Sequence, residues 1–359
     1  MLNYASQRAR TTPSIVGLLV TVVLMLGLLT PHAALAQTTV GGTIGANTTW
    51  TTTGSPYLVT SDITIENGAT LEIDAGVEVR FGAGLGLTVG VGATSTGTLD
   101  VNGTAADPVE FVSDAGTPAA GDWLGLVFTT HDAGSTIEHA TVRHAGGGAA
   151  NTGAIQINYA TPTLTSVAVL DSGRSGVRAF ASSGQSLSFT DVRVEDSAAD
   201  GFLMTGGTDH VLTRPVALDN ASRGIAVAAA SGVEIIAVVA RGNDGAGQVR
   251  VASCTDVSIA VDAIDGLASQ PRPGITIVSS PETLVTGPNP STTDRGTIEN
   301  GAQGVRIIDS PDVEIRDIDF DGNVDAITVQ STGTPGEPVS NAALVRRCCV
   351  GTLRVPVMP

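Results

Sequence analysis

The sequence predicts an all-β protein: a single right-handed parallel β-helix, a solenoid with three short strands per coil and about eleven coils. Three observations indicate this fold. The 359 residues include 44 glycines, only 3% are aromatic and 42% are hydrophobic. Short β-branched runs are punctuated by Gly, Asp, Asn and Ser, which is typical of many short strands joined by tight turns. A repeat with a period of 22 to 30 residues runs through the second half of the chain.

The repeat is clearest between Gly304 and Asn323, where apolar residues alternate with polar ones. The apolar residues form three pairs, Val305/Ile307, Val313/Ile315 and Ile318/Phe320. Alternation with a period of two places both members of a pair on one face of a strand. Each coil is therefore predicted to contain three short strands separated by turns.

The first apolar pair recurs in eight successive coils. The coils start at Ala154, Gly176, Gly201, Gly224, Gln248, Gly274, Gly304 and Ala326. Their first inward pairs are Ile155/Ile157, Val177/Ala179, Phe202/Met204, Ile225/Val227, Val249/Val251, Ile275/Ile277, Val305/Ile307 and Ile327/Val329. The connections between successive parallel strands are nearly always right-handed, so the solenoid is predicted to be right-handed. With about 4.8 Å between paired strands, the rod is expected to be about 50 Å long.

The N-terminal half shows the same short strands with different turns. The predicted strands are Tyr57–Val59, Ile63–Ile65, Leu71–Ile73, Val77–Phe81, Leu85–Val89, Leu99–Val101 and Val109–Phe111. Asn67-Gly68 and Asp74-Ala75-Gly76 lie between them and are predicted to be turns, because Asn, Asp and Gly tolerate left-handed backbone angles.

This half resembles right-handed parallel β-helix proteins from bacterial and archaeal cell surfaces. The resemblance is carried by the blocks Ser55 to Gly82, Gly97 to Thr104, Asp107 to Phe111, Gly121 to Phe128 and Ile137 to Gly146. Residues 154–330 resemble the general repeat of the pectin-lyase-like superfamily. The resemblance implies the fold but no single activity, because this fold hosts lyases, hydrolases, epimerases, adhesins and non-catalytic surface proteins.

The two ends of the chain differ from the repeat. Residues 1–36 are predicted to be a signal peptide: Arg8 and Arg10 precede the apolar run Ile15–Leu29, and Ala34-Leu35-Ala36 suits cleavage before Gln37. An uncleaved N-terminal anchor is the alternative. The β-helix is predicted over 37–330, with no membrane span after signal cleavage. Residues 331–359 are predicted to be an irregular tail, from a truncated or frameshifted reading frame.

Charge and cysteine content restrict the partners. The formal net charge is −17, and all 18 basic residues are Arg. An acidic surface argues against nucleic acid and anionic membranes as partners. With only three cysteines, the exported chain does not depend on a disulfide framework. Cys254 lies within a strand pattern and is expected to be a small buried residue.

Aspartates recur at the coil ends, where Asp171, Asp196 and Asp219 occupy nearly equivalent positions. Asp244, Asp265 and Asp321 approximately continue the line. Stacked carboxylates repel one another, and oxygen ligands in a row suit Ca²⁺. The sequence therefore predicts a weak calcium site at Asp171, Asp196 and Asp219. The alternative is that turns favour Asp for conformational reasons, and no cofactor is required for folding or function.

Two other groups of side chains could carry chemistry. Arg178, Arg250 and Arg306 share one outward position in their coils, which suits either a solvated surface or a stripe that binds polyuronates. His131, His139 and His144 lie in one coil and could be drawn as a metal site, although packing between coils is the favoured interpretation.

The predicted function is a secreted or cell-surface, non-catalytic β-helix protein with an adhesive, structural or polysaccharide-binding role. Its expected partner is an extracellular polysaccharide or a cell-surface component. The alternative is a polysaccharide lyase or glycoside hydrolase on the same fold. The long inserts Ala115–Gly121, Leu267–Pro273 and Thr286–Gly296 are nearly free of catalytic residue types, which favours the non-enzyme. The oligomeric state is not predicted.

Overall fold

The computed structural model describes residues 37–92, 94–148, 152–245, 247–266, 272–288 and 294–330, and the backbone of residues 343–346. The predicted signal peptide lies outside the described residues. Within the ranges that the structure describes, no helix has the length and apolar character needed to cross a bilayer. The described part of the chain is built from β-strands with one 3-10 turn, Thr52–Gly54.

The strands are β1 (Thr38–Ile44), β2 (Thr48–Trp50), β3 (Tyr57–Ile65), β4 (Ala69–Asp74), β5 (Glu78–Phe81), β6 (Gly86–Val89), β7 (Gly97–Asn102), β8 (Val109–Ser113), β9 (Gly125–Phe128), β10 (Thr136–Arg143), β11 (Gly153–Asn158), β12 (Thr163–Leu170), β13 (Ser175–Ala181), β14 (Ser188–Thr190), β15 (Arg193–Glu195), β16 (Phe202–Gly206), β17 (Val211–Thr213), β18 (Val216–Leu218), β19 (Ile225–Ala228), β20 (Ser231–Arg241), β21 (Val249–Ala252), β22 (Thr255–Asp265), β23 (Ile275–Val278), β24 (Leu284–Thr286), β25 (Gly296–Glu299), β26 (Gln303–Ile308), β27 (Val313–Arg316), β28 (Ile318–Asp321), β29 (Asp325–Gln330) and β30 (Ala343–Arg346).

These strands form three parallel sheets along one solenoid. The first sheet contains, in order, β1, β3, β6, β9, β11, β13, β16, β19, β21, β23, β26 and β29. The second contains β2, β4, β7, β10, β12, β14, β17, β20, β22, β24, β27 and β30. The third contains β1, β3, β5, β8, β10, β12, β15, β18, β20, β22, β25 and β28.

Each described sheet has twelve rungs and therefore eleven steps between coils. This confirms the predicted all-β solenoid with three strands per coil and about eleven coils. Several strands serve two sheets because they bend at a corner. β10 bends at His139 and β12 at Ser166, and both of these residues are left-handed, with φ of 46° and 54°.

The predicted register of the first sheet is confirmed residue by residue. The column of paired residues runs through Ile155, Val177, Phe202, Ile225, Val249, Ile275, Val305 and Ile327. The eight side chains are 0–2% exposed and lie in the core. Each also packs against its equivalents in the coils above and below, so one apolar column stabilises the whole stack. Cys254 is buried and unpaired in the core, as expected.

Amide side chains connect the coils at the turn between the third and first sheets. Asn220 Oδ1 accepts hydrogen bonds from Ser197 N at 3.0 Å, and Asn220 Nδ2 donates to Asn243 Oδ1 at 2.8 Å. Asn243 Nδ2 in turn donates to Gln248 Oε1 at 2.6 Å. Asn220, Asn243 and Gln248 are fully buried. These hydrogen-bonded amides therefore join one coil to the next.

Three features differ from the strand assignments made from sequence. A complete first coil, built from β1 and β2, precedes Tyr57. The predicted strands Tyr57–Val59 and Ile63–Ile65 are two halves of one bent strand, β3. Within the tail that was predicted to be irregular, β30 pairs in parallel with β27 and extends the second sheet. The rest of the tail lies outside the described residues.

Candidate functional site

The outward side of the first sheet carries two straight columns of side chains, which we call the arginine face. One column is Thr43, Thr64, Thr88, Val127, Gln156, Arg178, Leu203, Ala226, Arg250, Thr276, Arg306 and Thr328. The other is Asn158, Phe180, Thr205, Ala228, Ala252, Val278, Ile308 and Gln330. The two columns combine guanidinium groups, hydroxyls, amides and apolar side chains, and at these described positions they include neither Asp nor Glu.

The three arginines lie in one column, as the sequence predicts. Arg178 is three rungs from Arg250, and Arg250 is two rungs from Arg306. At about 4.8 Å per rung, these separations are about 14 Å and about 10 Å. Their charges are therefore spaced along the solenoid axis, which suits an extended ligand better than a compact one.

Arg178 belongs to an aromatic cluster at one edge of the arginine face. Its guanidinium carbon lies 4.1 Å from the ring centroid of Phe180, a cation–π contact. Phe180 stacks on Tyr159 with the ring centroids 6.2 Å apart. Tyr159 is 47% exposed. It is held in place by two hydrogen bonds, from Tyr159 N to Phe180 O and from Gln185 Nε2 to Tyr159 O, both 2.8 Å long.

Burial lowers the pKa of Arg178. Its Nε is buried and makes no hydrogen bond within the described residues. A guanidinium in this setting is less hydrated than one on an open surface, so less hydration is lost when a carboxylate or sulfate approaches it. The cluster thus offers an exposed aromatic ring beside a cation.

Arg250 lies beside a second arginine that is already neutralised. Asp200 is 4% exposed and accepts two side-chain hydrogen bonds from Arg223, from Nε at 2.8 Å and from Nη2 at 2.7 Å. Burial first, and then the charge of Arg223, lower the pKa of Arg250. Two guanidinium groups with one carboxylate leave one net positive charge at this point on an acidic protein.

Arg306 is oriented by a neutral group. Its Nε and Nη2 donate to Gln330 Oε1 at 3.2 and 2.8 Å. Gln330 lies one rung further along the neighbouring column. Because an amide cancels no charge, Arg306 keeps its positive charge while its side chain is held against the sheet.

The predicted calcium residues Asp171, Asp196 and Asp219 stack at one corner, after the third sheet. All three are left-handed, with φ of 54°, 54° and 51°. Their carboxylates have unequal surroundings. Asp171 Oδ2 lies 3.7 Å from Arg143 Nε and 3.8 Å from His144 Nε2. Burial, followed by the charges of Glu195, Asp171 and Asp219, raises the pKa of Asp196. The carboxylates therefore repel one another, as the stacking argument predicts.

No group of three or more His, Cys, Asp or Glu side chains within the described ranges is arranged to hold a metal ion. The calcium site at Asp171, Asp196 and Asp219 therefore stays a prediction. The other aspartates do not continue this line: Asp265 and Asp321 belong to the neighbouring column that contains Glu195. At the aspartate position, the residue after Arg241 is Gly242, two residues before Asp244, and the residue after Asp321 is Gly322. Both glycines are left-handed.

His139 and His144 lie at different corners of the solenoid. His139 occupies the left-handed bend of β10, between the second and third sheets, and His144 lies after the same strand, at the turn towards the first sheet. Burial lowers the pKa of His144. Both histidines thus lie at turns, and their packing between coils stays a prediction.

Sequence reasoning missed two parts of the arginine face. The Tyr159–Phe180 stack joins two coils across turns of different lengths, so no fixed spacing reveals it. The Asp200–Arg223 pair could have been found, because the two residues are 23 positions apart and therefore occupy the same turn in successive coils. A scan for opposite charges at the coil period would detect such pairs.

Comparison with models of known protein families identifies the family to which this chain belongs. The sequence model of the pectate-lyase-like beta helix domain matches residues 42–222, which is half of the chain. The protein therefore belongs to the pectate-lyase-like β-helix family. A search of curated proteins found no match.

Solved structures with a similar fold have diverse roles. The Streptococcus pneumoniae surface protein and adhesin PfbA is 10% identical, with 81% of this chain and 91% of that chain covered and a TM-score of 0.39. An alginate lyase from Paenibacillus sp. str. FPU-7 is 11% identical, with 77% and 93% covered and a TM-score of 0.28. The catalytic domain of a GH87 alpha-1,3-glucanase is 14% identical, with 76% and 53% covered and a TM-score of 0.32.

Proposed function

We propose that this protein is a secreted or cell-surface, non-catalytic β-helix protein that binds an acidic extracellular polysaccharide along the arginine face. The observation that carries the proposal is the single column of Arg178, Arg250 and Arg306 on a protein with a formal net charge of −17. Guanidinium groups match carboxylates and sulfates in geometry and charge. Their spacing along the axis fits a polymer that lies parallel to the solenoid.

The aromatic cluster supports a sugar as the ligand. Tyr159 is exposed and its ring stacks on Phe180, whose ring contacts the guanidinium of Arg178. A flat apolar ring beside a charged donor suits a pyranose, which has an apolar face and polar edges. The binding surface we propose is thus the sheet itself and its corner at Tyr159.

The test is a glycan-array measurement on the purified protein, with and without Ca²⁺, against neutral and acidic polysaccharides. We expect acidic polymers to bind and their affinity to fall as salt rises, because exposed charges are screened. Each bound polysaccharide is then incubated with the protein and followed for unsaturated products and new reducing ends. Product release would overturn the non-catalytic role in favour of a lyase or hydrolase.

Three substitutions localise the binding. The combined variant Arg178→Gln, Arg250→Gln and Arg306→Gln should weaken binding by about a hundredfold, since two or more charge-assisted contacts are lost. Gln is compatible with this column because Gln156 already occupies it. The control is Arg214→Gln, which removes one positive charge at a distant corner, where Arg214 pairs with Asp191. Equal loss of affinity in the control would refute the assignment to the arginine face.

A further inference from the structure

The outward side of the third sheet has an apolar centre and charged flanks; we call it the Leu218 face. One of its columns is Thr141, Ala168, Arg193, Val216, Val239, Ala263 and Thr297, and the other is Arg143, Leu170, Glu195, Leu218, Arg241, Asp265 and Glu299. Val216, Leu218, Val239 and Leu170 are only half-buried. Apolar side chains gathered on an outer surface in this way are typical of an interaction site.

Four charged groups of the Leu218 face form complementary pairs about the rung of Val216 and Leu218. One rung away lie Glu195 on one side and Arg241 on the other. Three rungs away lie Arg143 and Glu299. In the other column two of the three equivalent pairs are alike: Ala168 corresponds to Ala263, and Thr141 to Thr297. The third pair, Arg193 and Val239, is not alike.

From this pattern we propose that the Leu218 face binds the same face of a second copy of this chain, with the two solenoids antiparallel. The two-fold axis lies along the strand direction at Val216 and Leu218, and the interface is isologous. This operation places Leu218 against Leu218 and Val216 against Val216. It also brings Glu195 opposite Arg241 of the second copy, and Arg143 opposite its Glu299, each twice.

The charged groups that would meet differ in their present surroundings, and Arg143 Nε already lies 3.7 Å from Asp171 Oδ2. Neither Arg241 nor Glu299 makes an ion pair within the described residues. Glu195 is held against the sheet by Arg193, whose Nε donates to Glu195 Oε2 at 3.0 Å. Two positions do not match. Leu170 would lie opposite Asp265, whose Oδ1 already accepts a hydrogen bond from Asn300 Nδ2 at 2.8 Å. Arg193 would lie opposite Val239.

The size of the face predicts a weak dimer. Seven rungs span about 29 Å, and strand segments of three to four residues are about 10–13 Å long, so the planar area is on the order of 300–400 Å² per copy. Stable interfaces bury about 800 Å² per partner. The dimer is therefore expected to form reversibly at micromolar concentrations and above, rather than as an obligate assembly.

Sedimentation equilibrium of the purified protein tests the proposal, over concentrations from about 1 to about 200 μM. A monomer–dimer equilibrium is expected. Val216→Asp should raise the dimer Kd at least about tenfold, because two carboxylates would meet at the centre of the interface. The matched control is Val211→Asp: Val211 is also a half-buried outward valine in the same coil, but it belongs to the second sheet. The control should leave the Kd unchanged.

Exchanging the charges of Glu195 and Arg241 distinguishes the proposed antiparallel dimer from any other contact between two copies. Arg241→Glu and Glu195→Arg should each weaken the dimer about tenfold, because each places like charges opposite one another. The double variant should return the Kd to within about threefold of the original. A protein that stays monomeric throughout the range, or a double variant no better than the single ones, would overturn the proposal. Thermal melting of each variant confirms that it folds, and the Arg→Gln variants of the arginine face should dimerise normally.

Discussion

Two aspartates in one coil share a backbone conformation and have opposite electrostatics. Asp191 and Asp196 are both left-handed, with φ of 55° and 54°. Hydrogen bonds from Arg214, Nε to Oδ1 at 2.6 Å and Nη2 to Oδ2 at 2.5 Å, lower the pKa of Asp191. Burial and neighbouring carboxylates raise the pKa of Asp196. The backbone thus explains why both residues are Asp, and the surroundings decide what each carboxylate does to stability.

The opposite shifts predict opposite effects of an Asp→Asn substitution, which keeps a left-handed conformation accessible. Asp196 has a pKa that is higher in the folded state than in the unfolded state, so its negative charge destabilises the fold at pH values above the folded-state pKa. This destabilisation is lost as the pH falls and is absent below about pH 3.9, the ordinary pKa of Asp. Asp196→Asn should therefore raise the melting temperature at neutral pH. Asp191 has a lowered pKa and stabilises the fold above about pH 3.9. Asp191→Asn should lower the melting temperature at neutral pH.

Both effects should be below about 1 kcal/mol, since the carboxylates are partly exposed and screened. Melting curves from neutral to acidic pH check them: the two variants should converge on the parent protein as pH falls. Variants that shift in the same direction at neutral pH would contradict the electrostatic account.

The variant Asp196→Asn also tests the calcium site predicted at Asp171, Asp196 and Asp219. If Ca²⁺ binds the column, it relieves the repulsion and raises the melting temperature of the parent protein. Asp196→Asn should reduce that rise, because one ligand oxygen becomes a nitrogen donor or a neutral acceptor. A melting temperature that does not change with Ca²⁺ in the parent protein would exclude the site.

At the scale of the elements, the strands follow from the apolar alternation and the corners follow from the polar residues. Asn220 is the clearest case of a corner that is required for stability. It is fully buried, accepts a hydrogen bond from Ser197 N and donates to Asn243 Oδ1 and to Val194 O. Its side chain therefore satisfies groups in both adjacent coils, where strands alone leave them without partners.

Asn220→Ala should destabilise the protein by about 2–4 kcal/mol, because several buried polar groups lose their partners at once. The control is Asn102→Ala: Asn102 is exposed and contacts Glu72 Oε1 at 3.3 Å. This control should change the stability by less than about 0.5 kcal/mol. Urea unfolding measures both variants, and a similar loss in the two would show that the ladder contributes little.

The sequence predicts these elements unequally, for physical reasons. The register of the first sheet follows from apolar pairs such as Phe202/Met204. A shift of the strand by one residue would turn both side chains of a pair from the core to the solvent, so only one register buries them. The first coil was missed because Thr38–Ile44 reads TTVGGTI, with a glycine pair where apolar alternation would be expected. Contacts across turns of variable length, such as Tyr159 with Phe180, depend on the folded path and not on a spacing.

At the scale of the whole molecule, three flat faces share one set of coils and can serve different purposes. The arginine face concentrates positive charge on an acidic protein, and the Leu218 face has apolar and paired charged groups. Pairing through the third sheet would leave the first sheet of both copies open. Two antiparallel rods would then present two arginine columns to one polymer, and linked sites bind more tightly than single ones.

The backbone hydrogen bonds of all three sheets join one coil to the next, so they point along the axis of the rod. Ile225 and Val249, which pair in neighbouring coils, are 24 positions apart. When the ends are pulled, coils can detach one after another, and each releases about 80 Å of extended chain. Force spectroscopy should record a series of steps of that length. A protein of this design would lengthen under tension in steps set by the length of its coils, and each step would absorb mechanical work.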